Sequence, residues 1–471
     1  MARVSKDPSS LQHKTEKGAP KKDGGNENEA DEPRVVVAFV RGRPVDGTCV
    51  SLAGADELLL GRASHQESFE QEGRTIKLRL VDSEISRWHA AVRRVPGGWQ
   101  LTDLGSTNRT YKNGELVRES TFLLDGSLIE IGRTVVVFRA VGPGPAATLG
   151  RTFGGGDVTT TSTPIFPTWC GKLEHSLVNL ASVALLKIPV LVRGETGTGK
   201  ELVAQAVHRL SERRGNLISI DCGALAETLV ESQLFGAVKG AFSGADRDKV
   251  GLIRAADGGT LFLDEIANLS LDKQAVFLRV LQDHKVLPLG GVKPIPVDIR
   301  SVAATNLDLR AMVQQGKFRQ DLYARLVGFD LELPPLRERR EDIGLLAATI
   351  LRELGEKPRS VTLDSEATRA LLVYPYPQNV RELKSALEVA LSTRRGEKIE
   401  IKNLPMVIQS YRPPKPGPAE EKQRRELEKH ISAKNGNLSA VGREMGTSHQ
   451  QVRRWARKFK IDVEKYRKPK A

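Results

Sequence analysis

The run GETGTGK at residues 194–200 stands between an apolar stretch, IPVLVR, and a helical pattern, ELVAQAVHRL. Strand, glycine loop and helix in this order make a phosphate cradle. The backbone N–H groups of Gly194, Glu195, Thr196, Gly197, Thr198 and Gly199 face an anion at a helix N-terminus, and Lys200 reaches its outer phosphates. Glu201 stands where such loops usually carry Ser or Thr, so the usual hydroxyl ligand of magnesium is missing. About sixty residues on, an apolar strand ends in Asp264 and Glu265. That pair suits a Mg2+ ligand, Asp264, followed by a carboxylate, Glu265, that polarises an attacking water. The chemistry expected is hydrolysis of ATP with Mg2+.

Three further groups of residues ask for a role. GAFSGA at 240–245 offers one large side chain, Phe242, among residues too small to pack around it. A phenylalanine on such a loop either tucks into its own domain or is offered to a partner. Nearer the N-terminus, Arg62, Ser86, Thr107 and Asn108 lie in turn-like segments of a strand-rich region. One guanidinium and two hydroxyls suit a phosphate dianion, with Arg87 adding field. Near the C-terminus, HQQVRRWARKFK carries Val452, Ala456 and Phe459 as an apolar stripe, with Ser448 as its cap. Gln450, Gln451, Arg453, Arg454 and Arg457 fall on its other faces.

Elements to position these groups are legible as composition shifts. Residues 1–33 are polar and charged with almost nothing to bury, as in a disordered tail. Residues 34–141 alternate short strands with turns (PGG, NG, DG), an all-β sandwich. Residues 142–165 are rich in Gly, Pro and Thr, a linker. Residues 166–410 alternate apolar strands with amphipathic helices, an α/β domain in which the helix after the glycine loop sets Leu202, Val203, Ala206, Val207 and Leu210 on one side. A stiffer linker, 411–419, precedes a small all-α segment, 420–465. There are no internal repeats.

Charge and apolar runs limit the partners. With 72 Lys+Arg against 58 Asp+Glu, the net charge is +14, which favours anionic partners such as nucleic acid. From Glu421 onward, fifteen basic residues face six acidic ones. No run is apolar over the ~18 residues needed to cross a bilayer. Cys49, Cys170 and Cys222 lie far apart without metal spacing, as small apolar residues in a reducing cytoplasm do.

Residues 166–409 resemble the AAA+ domain of bacterial sigma-54-dependent transcription activators, the enhancer-binding proteins. GETGTGKE resembles that family's P-loop, and KGAFSGA its signature loop, usually GAFTGA. AATNLDL resembles the sensor I strand, which implies Asn306 near the γ-phosphate. GKFRQDLYARL resembles the segment of trans-acting arginines, implying Arg319 and Arg325; YPQNVREL implies Arg381 at sensor II, and LPPLRERREDI is a further mark. The resemblance implies that Gly240, Ala241, Phe242, Ser243, Gly244 and Ala245 touch sigma-54, and that the chain forms a hexamer. Read by spacing alone, Arg319 and Arg325 are six apart, about 240° round a helix, and cannot share a face; one of them can also pair locally with Asp321. An arginine offered to a neighbour's γ-phosphate would make hydrolysis depend on assembly.

LLLGRASH, SEISRWHAAV and LTDLGSTNRTYKNGE are similar to a forkhead-associated (FHA) domain. That implies phosphothreonine binding by Arg62, Ser86 and Thr107, with Asn108 on the peptide backbone, and structural roles for His89, Gly61 and Asn113. The C-terminal segment resembles a Fis-type helix-turn-helix turning at Gly446, in which Gln450, Gln451, Arg453, Arg454 and Arg457 meet DNA.

This sequence departs from the family patterns at several positions. Gln233, Ala237 and Val238 replace two acids and a histidine before the signature loop; Tyr376 and Gln378 replace Trp and Gly; Arg109 replaces the usual glycine of STNGT. Asp221 replaces an asparagine that contacts the catalytic glutamate, and two carboxylates there would repel, raising the pKa of one. The resulting expectation is an ATP-driven activator of sigma-54 RNA polymerase that binds enhancer DNA and answers to a phosphothreonine protein from a Ser/Thr kinase. The alternative is a non-catalytic DNA-bound phosphopeptide adaptor whose ring serves only assembly. The presence of Lys200, Asp264, Glu265, Arg319 and Arg325 favours the first.

Overall fold

The computed structural model describes residues 33–95, 98–140, 165–224, 230–241, 246–412, 418–445, 449–459, 461 and 463–466. The expected tail and the 142–165 linker fall almost wholly outside them.

Alternating strands make two six-stranded sheets. One runs in the order Arg43–Ser51, Arg34–Val40, Thr134–Arg139, Ser127–Ile131, Thr110–Lys112, Glu115–Leu116. The other runs Thr121–Leu123, Gly98–Asp103, Ala90–Val95, Glu57–Arg62, Thr75–Leu80, Ser68–Glu72. Asn113 and Gly114 have φ of 51° and 83°. These are the left-handed values that a type I′ hairpin turn requires, and Lys112 pairs with Glu115 across it.

Arg34–Val40 is buried along its whole length, and its side chains alternate in destination as strand geometry demands. Val35 and Val37 enter the sandwich core. Val36 packs instead with Trp169 and Leu345, and Ala38 joins the core of a helical domain beyond. Thr134–Arg139 does the same, with Val136 and Phe138 inward and Val135 and Val137 outward. One sheet therefore has two covered faces.

The α/β domain is built on a parallel sheet in the order Leu217–Asp221, Thr260–Asp264, Arg300–Thr305, Val190–Arg193, Phe329–Glu332. Val190, Val192, Phe262, Val302 and Ala304 meet helices Gly171–Val183 and Lys200–Leu210 on one face. Leu191, Leu261, Leu263 and Ala303 meet Leu271–Asp283 and Gln320–Leu326 on the other. The helix after the glycine loop buries Val203, Ala206 and Val207 of its expected stripe but not Leu202. Leu202 is 54% exposed, whereas Lys200, Val203, Ala204 and Val207 are buried. The lysine that begins the helix sets the inward stripe, and residues three, four and seven later follow it.

Helices Asp342–Glu353, Ser365–Val373 and Asn379–Thr393 form the lid, with Tyr376 fully buried and donating its hydroxyl to the Leu371 carbonyl at 2.9 Å. A last helical group, Pro418–Ala433, Leu438–Glu444 and His449–Lys458, packs Leu427, Ile431, Val441, Val452 and Ala456 together. Its first helix begins at Pro418, inside the stretch expected as a linker; the expected turn at Gly446 and cap at Ser448 lie outside the described residues. Among the described residues no helix is long and apolar enough to cross a membrane.

Glu341 is fully buried between the sandwich and the lid, 3.3 Å from Arg139, with neither oxygen hydrogen-bonded. Burial outweighs Arg139 and pushes the carboxyl from 4.5 up to about 7. The folded protein thus keeps a proton that the unfolded chain would release. The stability from this site is full below pH 4.5 and is lost as pH rises through about 7. Glu341→Gln should remove that slope, so that between pH 5 and 8 the unmutated protein loses stability relative to the variant, on the order of 2–3 kcal/mol. Thermal melts that stay parallel across this range would disprove it.

Candidate functional site

Arg300–Thr305 follows the acidic strand in the chain but lies between it and Val190–Arg193 in the sheet. Asn306 is thereby set between the glycine loop and the Asp264–Glu265 pair, at the carboxyl ends of the strands where ligands gather. Lys200, only 7% exposed, donates to the Gly194 carbonyl at 3.0 Å and lies 3.2 Å from Glu265 Oε1. Glu265 Oε2 accepts from the Asn306 N–H at 3.2 Å. Asp264 Oδ1 accepts from the Glu265 N–H at 3.0 Å. Burial first, then the Glu265 charge, raises the Asp264 carboxyl above its ordinary value, with Lys200 opposing. Glu265 sits at φ 49°, a left-handed strain held by its partners.

The lid closes directly on the loop. Gly197 has φ 77°, and a Cβ there would stand 2.1 Å from the Gln378 carbonyl oxygen and 3.1 Å from Arg381 Cβ. Val380 N–H donates to Gly197 O at 3.0 Å. Arg337 grips both oxygens of Glu195 at 2.8 and 2.6 Å, and Asn379 Nδ2 donates to Thr196 O at 2.9 Å. Arg339, 1% exposed, donates to Thr198 O at 2.9 Å. Thr198 Oγ1 itself donates to Glu195 O at 2.7 Å. The sequence reading has no role for Arg337, Arg339 or Asn379, although their motifs LPPLRERREDI and YPQNVREL are legible. Glu201 and Arg381 are exposed, and Glu201 accepts only from Gln205 Nε2, at 3.4 Å, among the described residues.

Other expected groups are placed as follows. Asp221 Oδ1 accepts from the N–H groups of Gly223 and Ala224, at 2.9 and 3.3 Å, while both Glu265 oxygens have other partners. Asp221 thus caps its own turn, and as the sheet neighbour of Asp264 it adds its charge to the causes that raise the Asp264 carboxyl. Arg319 precedes helix Gln320–Leu326 and pairs with Asp321 at 2.8 Å. Arg325, in the last turn, donates through Nε to Leu281 O at 3.0 Å and lines a cavity of about 480 Å³ with Lys187, His284 and Asp298. Gly240, at φ 81°, and Ala241 rise from the short pairing of Gly236–Ala237 with Lys249–Val250. Phe242, Ser243, Gly244 and Ala245 lie outside the described residues.

In the sandwich, Ser86 Oγ accepts from the Thr107 N–H at 3.1 Å, and Asn108 Nδ2 donates to Glu84 O at 2.8 Å. Arg62 is exposed beside them, its N–H on Ser86 O at 3.0 Å. His89 is fully buried: Nδ1 accepts from the Ser86 N–H at 3.1 Å, which leaves Nε2 to donate to Arg109 O at 3.0 Å. A Cβ on Gly61 would meet Arg87 O at 2.3 Å. Arg453 is exposed on the last long helix; of the side chains of Gln450, Gln451, Arg454 and Arg457 nothing is described.

Comparison with known proteins matches the chain domain by domain. The sigma-54 interaction domain matches residues 170–332, the AAA+ ATPase lid domain 337–421 and the FHA domain 58–132. The chain thus carries an AAA+ ATPase domain that matches the sigma-54 interaction family, followed by an AAA+ lid and preceded by an FHA domain. Transcriptional regulatory protein ZraR of Escherichia coli (strain K12) is 41% identical over 288 residues, 59% of this chain and 65% of that protein. Regulatory protein AtoC of the same organism is 46% identical over 231 residues, 48% of this chain and 50% of that protein. A solved structure of NtrX from Brucella abortus in complex with ATP is 27% identical, covering 65% of this chain and 70% of that one at a TM-score of 0.46. The chain spans half to two thirds of the length of these two regulators.

Glu265→Gln keeps the shape and the Asn306 contact but removes the carboxylate charge expected to polarise water. Nucleotide binding should persist while turnover falls by about 10²-fold or more. Steady-state hydrolysis beside equilibrium binding of a fluorescent nucleotide checks this, and retained turnover would reassign the residue.

Proposed function

We propose that this protein hydrolyses ATP with Mg2+ to remodel sigma-54 RNA polymerase from enhancer DNA, as a hexamer, under the control of a phosphothreonine protein. The convergence of Lys200, Glu265, Asn306 and Asp264 at one end of the parallel sheet carries the reading. An arriving triphosphate offers Lys200 phosphate oxygens in place of Gly194 O and Glu265. Glu265, released, turns to orient the attacking water, with Asn306 beside the γ-phosphate. Asp264, half-buried against a second carboxylate, fits a divalent cation that would relieve their repulsion. Bound Mg2+ supplies charge to the phosphate oxygens. Arg319 and Arg325 are the candidates to complete a neighbour's site, Arg381 to sense nucleotide from the lid.

The loop 240–245 is the output. Its base is hydrogen-bonded to a second loop, Val238 N–H to Leu289 O and Leu289 N–H to Gly236 O, both at 3.0 Å. Phe242 is the one group there with apolar area to bury on sigma-54, on the order of 2–3 kcal/mol. Phe242→Ala should leave ATPase activity and DNA binding near normal and abolish open-complex formation. Normal transcription by that variant would remove the loop from the mechanism. Activity per subunit that does not vary with protein concentration would equally remove the trans-arginine role of Arg325.

The FHA loops are the input. Arg62, Ser86 and Thr107 surround one exposed spot where a phosphothreonine fits, and Asn108 faces the peptide backbone. Arg62→Ala should weaken phosphopeptide binding by about 1.5–3 kcal/mol. Calorimetry with phosphorylated and unphosphorylated peptides is the test; equal affinities would sink the reading. The basic C-terminal helices, with Gln450, Gln451, Arg453, Arg454 and Arg457, are the DNA-binding element.

A further inference from the structure

The six residues Arg337 to Asp342 touch two domains at once. Arg337 and Arg339 hold the glycine loop through Glu195 and the Thr198 carbonyl. On the same turn, Glu338 O accepts from Arg139 of the FHA sandwich at 3.3 Å, and Glu341 faces the same guanidinium at 3.3 Å. Asp342, fully buried, accepts from the Thr168 hydroxyl at 2.6 Å and the Trp169 N–H at 2.5 Å. A displacement of this turn cannot be felt at one end only, because Arg339 and Asp342 are buried with fixed hydrogen-bond partners and tolerate little rearrangement.

The contact surrounding the turn is built, not incidental. Gly344, within helix Asp342–Glu353, brings the helix so close to the first strand that a Cβ would stand 2.1 Å from Ala38 O. Gly42 meets Leu363 as closely, and the Leu363 N–H donates to Gly42 O at 2.7 Å. Arg369 grips Glu130 in a fork at 2.9 and 2.6 Å. Ala38, Phe39, Leu128, Val135 and Val137 share one apolar core with Leu336, Ile343 and Ala347. The sequence itself carries this: RVVVAFV and TVVVFR do not alternate, as strands with one wet face should, so both faces are meant to be covered.

We propose that the FHA sandwich braces the nucleotide lid: docked on Asp342–Glu353, it holds Arg337 and Arg339 on the glycine loop, and parting the two domains weakens nucleotide binding. Whatever loosens the brace, whether a ligand of the FHA loops or a mutation, is then read out at the nucleotide site without touching it. This rests on nucleotide binding alone and stands whether or not the sandwich recognises phosphothreonine.

Two full-length variants part the domains by different physics. Gly344→Leu drives a side chain between helix and strand while improving local helix propensity. Arg369→Glu sets a carboxylate against Glu130 at a partly exposed position, with Arg369→Lys as the conservative control. In Gly344→Leu and Arg369→Glu, hydrogen exchange of the Leu363 amide should rise at least tenfold, and the Kd for N-methylanthraniloyl-ADP at least threefold. Arg369→Lys should stay within twofold of the unmutated protein on both readouts. Faster exchange with unchanged ADP affinity would overturn the coupling. Weaker ADP binding with unchanged exchange would overturn the route. If Gly344→Leu does not fold, Arg369→Glu decides the matter by the same two readouts.

Discussion

A buried ammonium sets the terms for the nucleotide site. Lys200 is withdrawn from water, and a cation so placed needs close acceptors or its desolvation goes uncompensated. Its acceptors are the Gly194 carbonyl and Glu265. Aiming that carbonyl inward requires the left-handed turns at Gly197 and Gly199, which a side chain would resist. Bringing Glu265 to the lysine requires its own positive φ, stabilised by the Asn306 N–H on the other oxygen. On the proposed function, a triphosphate would satisfy the lysine better than a carboxylate and a neutral carbonyl do, and would free the glutamate as it binds.

The lid's grip follows from a second constraint, centred on Asn379. It is fully buried at φ 53°, a conformation that asparagine tolerates better than most residues. Its Oδ1 accepts from the Leu336 N–H at 2.7 Å, and its Nδ2 donates to Glu195 and to Thr196 O. One side chain therefore ties the start of the last lid helix, the turn before the first and the glycine loop. Arg337 and Arg339 extend from that turn, which is why lid, loop and sandwich meet there.

What was legible in the sequence is what is encoded locally. The glycine loop, the paired acids and the NG hairpin depend on residues within a few positions of one another, and backbone sterics fix them. The edge of the buried stripe on the helix after the glycine loop was not legible, because Leu202 and Ala204 compete on apolarity alone and only the buried lysine breaks the tie. A position in a motif likewise does not reveal that the Asp221 carboxylate will also cap its own turn. The roles of Arg337, Arg339 and Glu130 rest on partners 142, 141 and 239 residues away in the chain. The unbroken apolar strand 34–40 did carry a long-range signal, but it says only that something covers the face, not what.

Arg109 shows how a departure from pattern is accommodated. Its φ of 64° explains why glycine is usual there, and an L-residue in that region costs roughly 1–2 kcal/mol. The surroundings over-determine the loop: His89 donates to the Arg109 carbonyl, and Asp103 gathers the hydroxyls of Ser106 and Thr110 with the N–H groups of Gly105 and Ser106. Those hydrogen bonds outweigh burial and hold the Asp103 carboxyl below its ordinary value, so it stays an acceptor. A backbone fixed this firmly can carry an arginine where glycine would be easier. The exposed guanidinium then stands next to Thr107 and Asn108 in the chain, adding positive field where the loops offer hydroxyls and an amide.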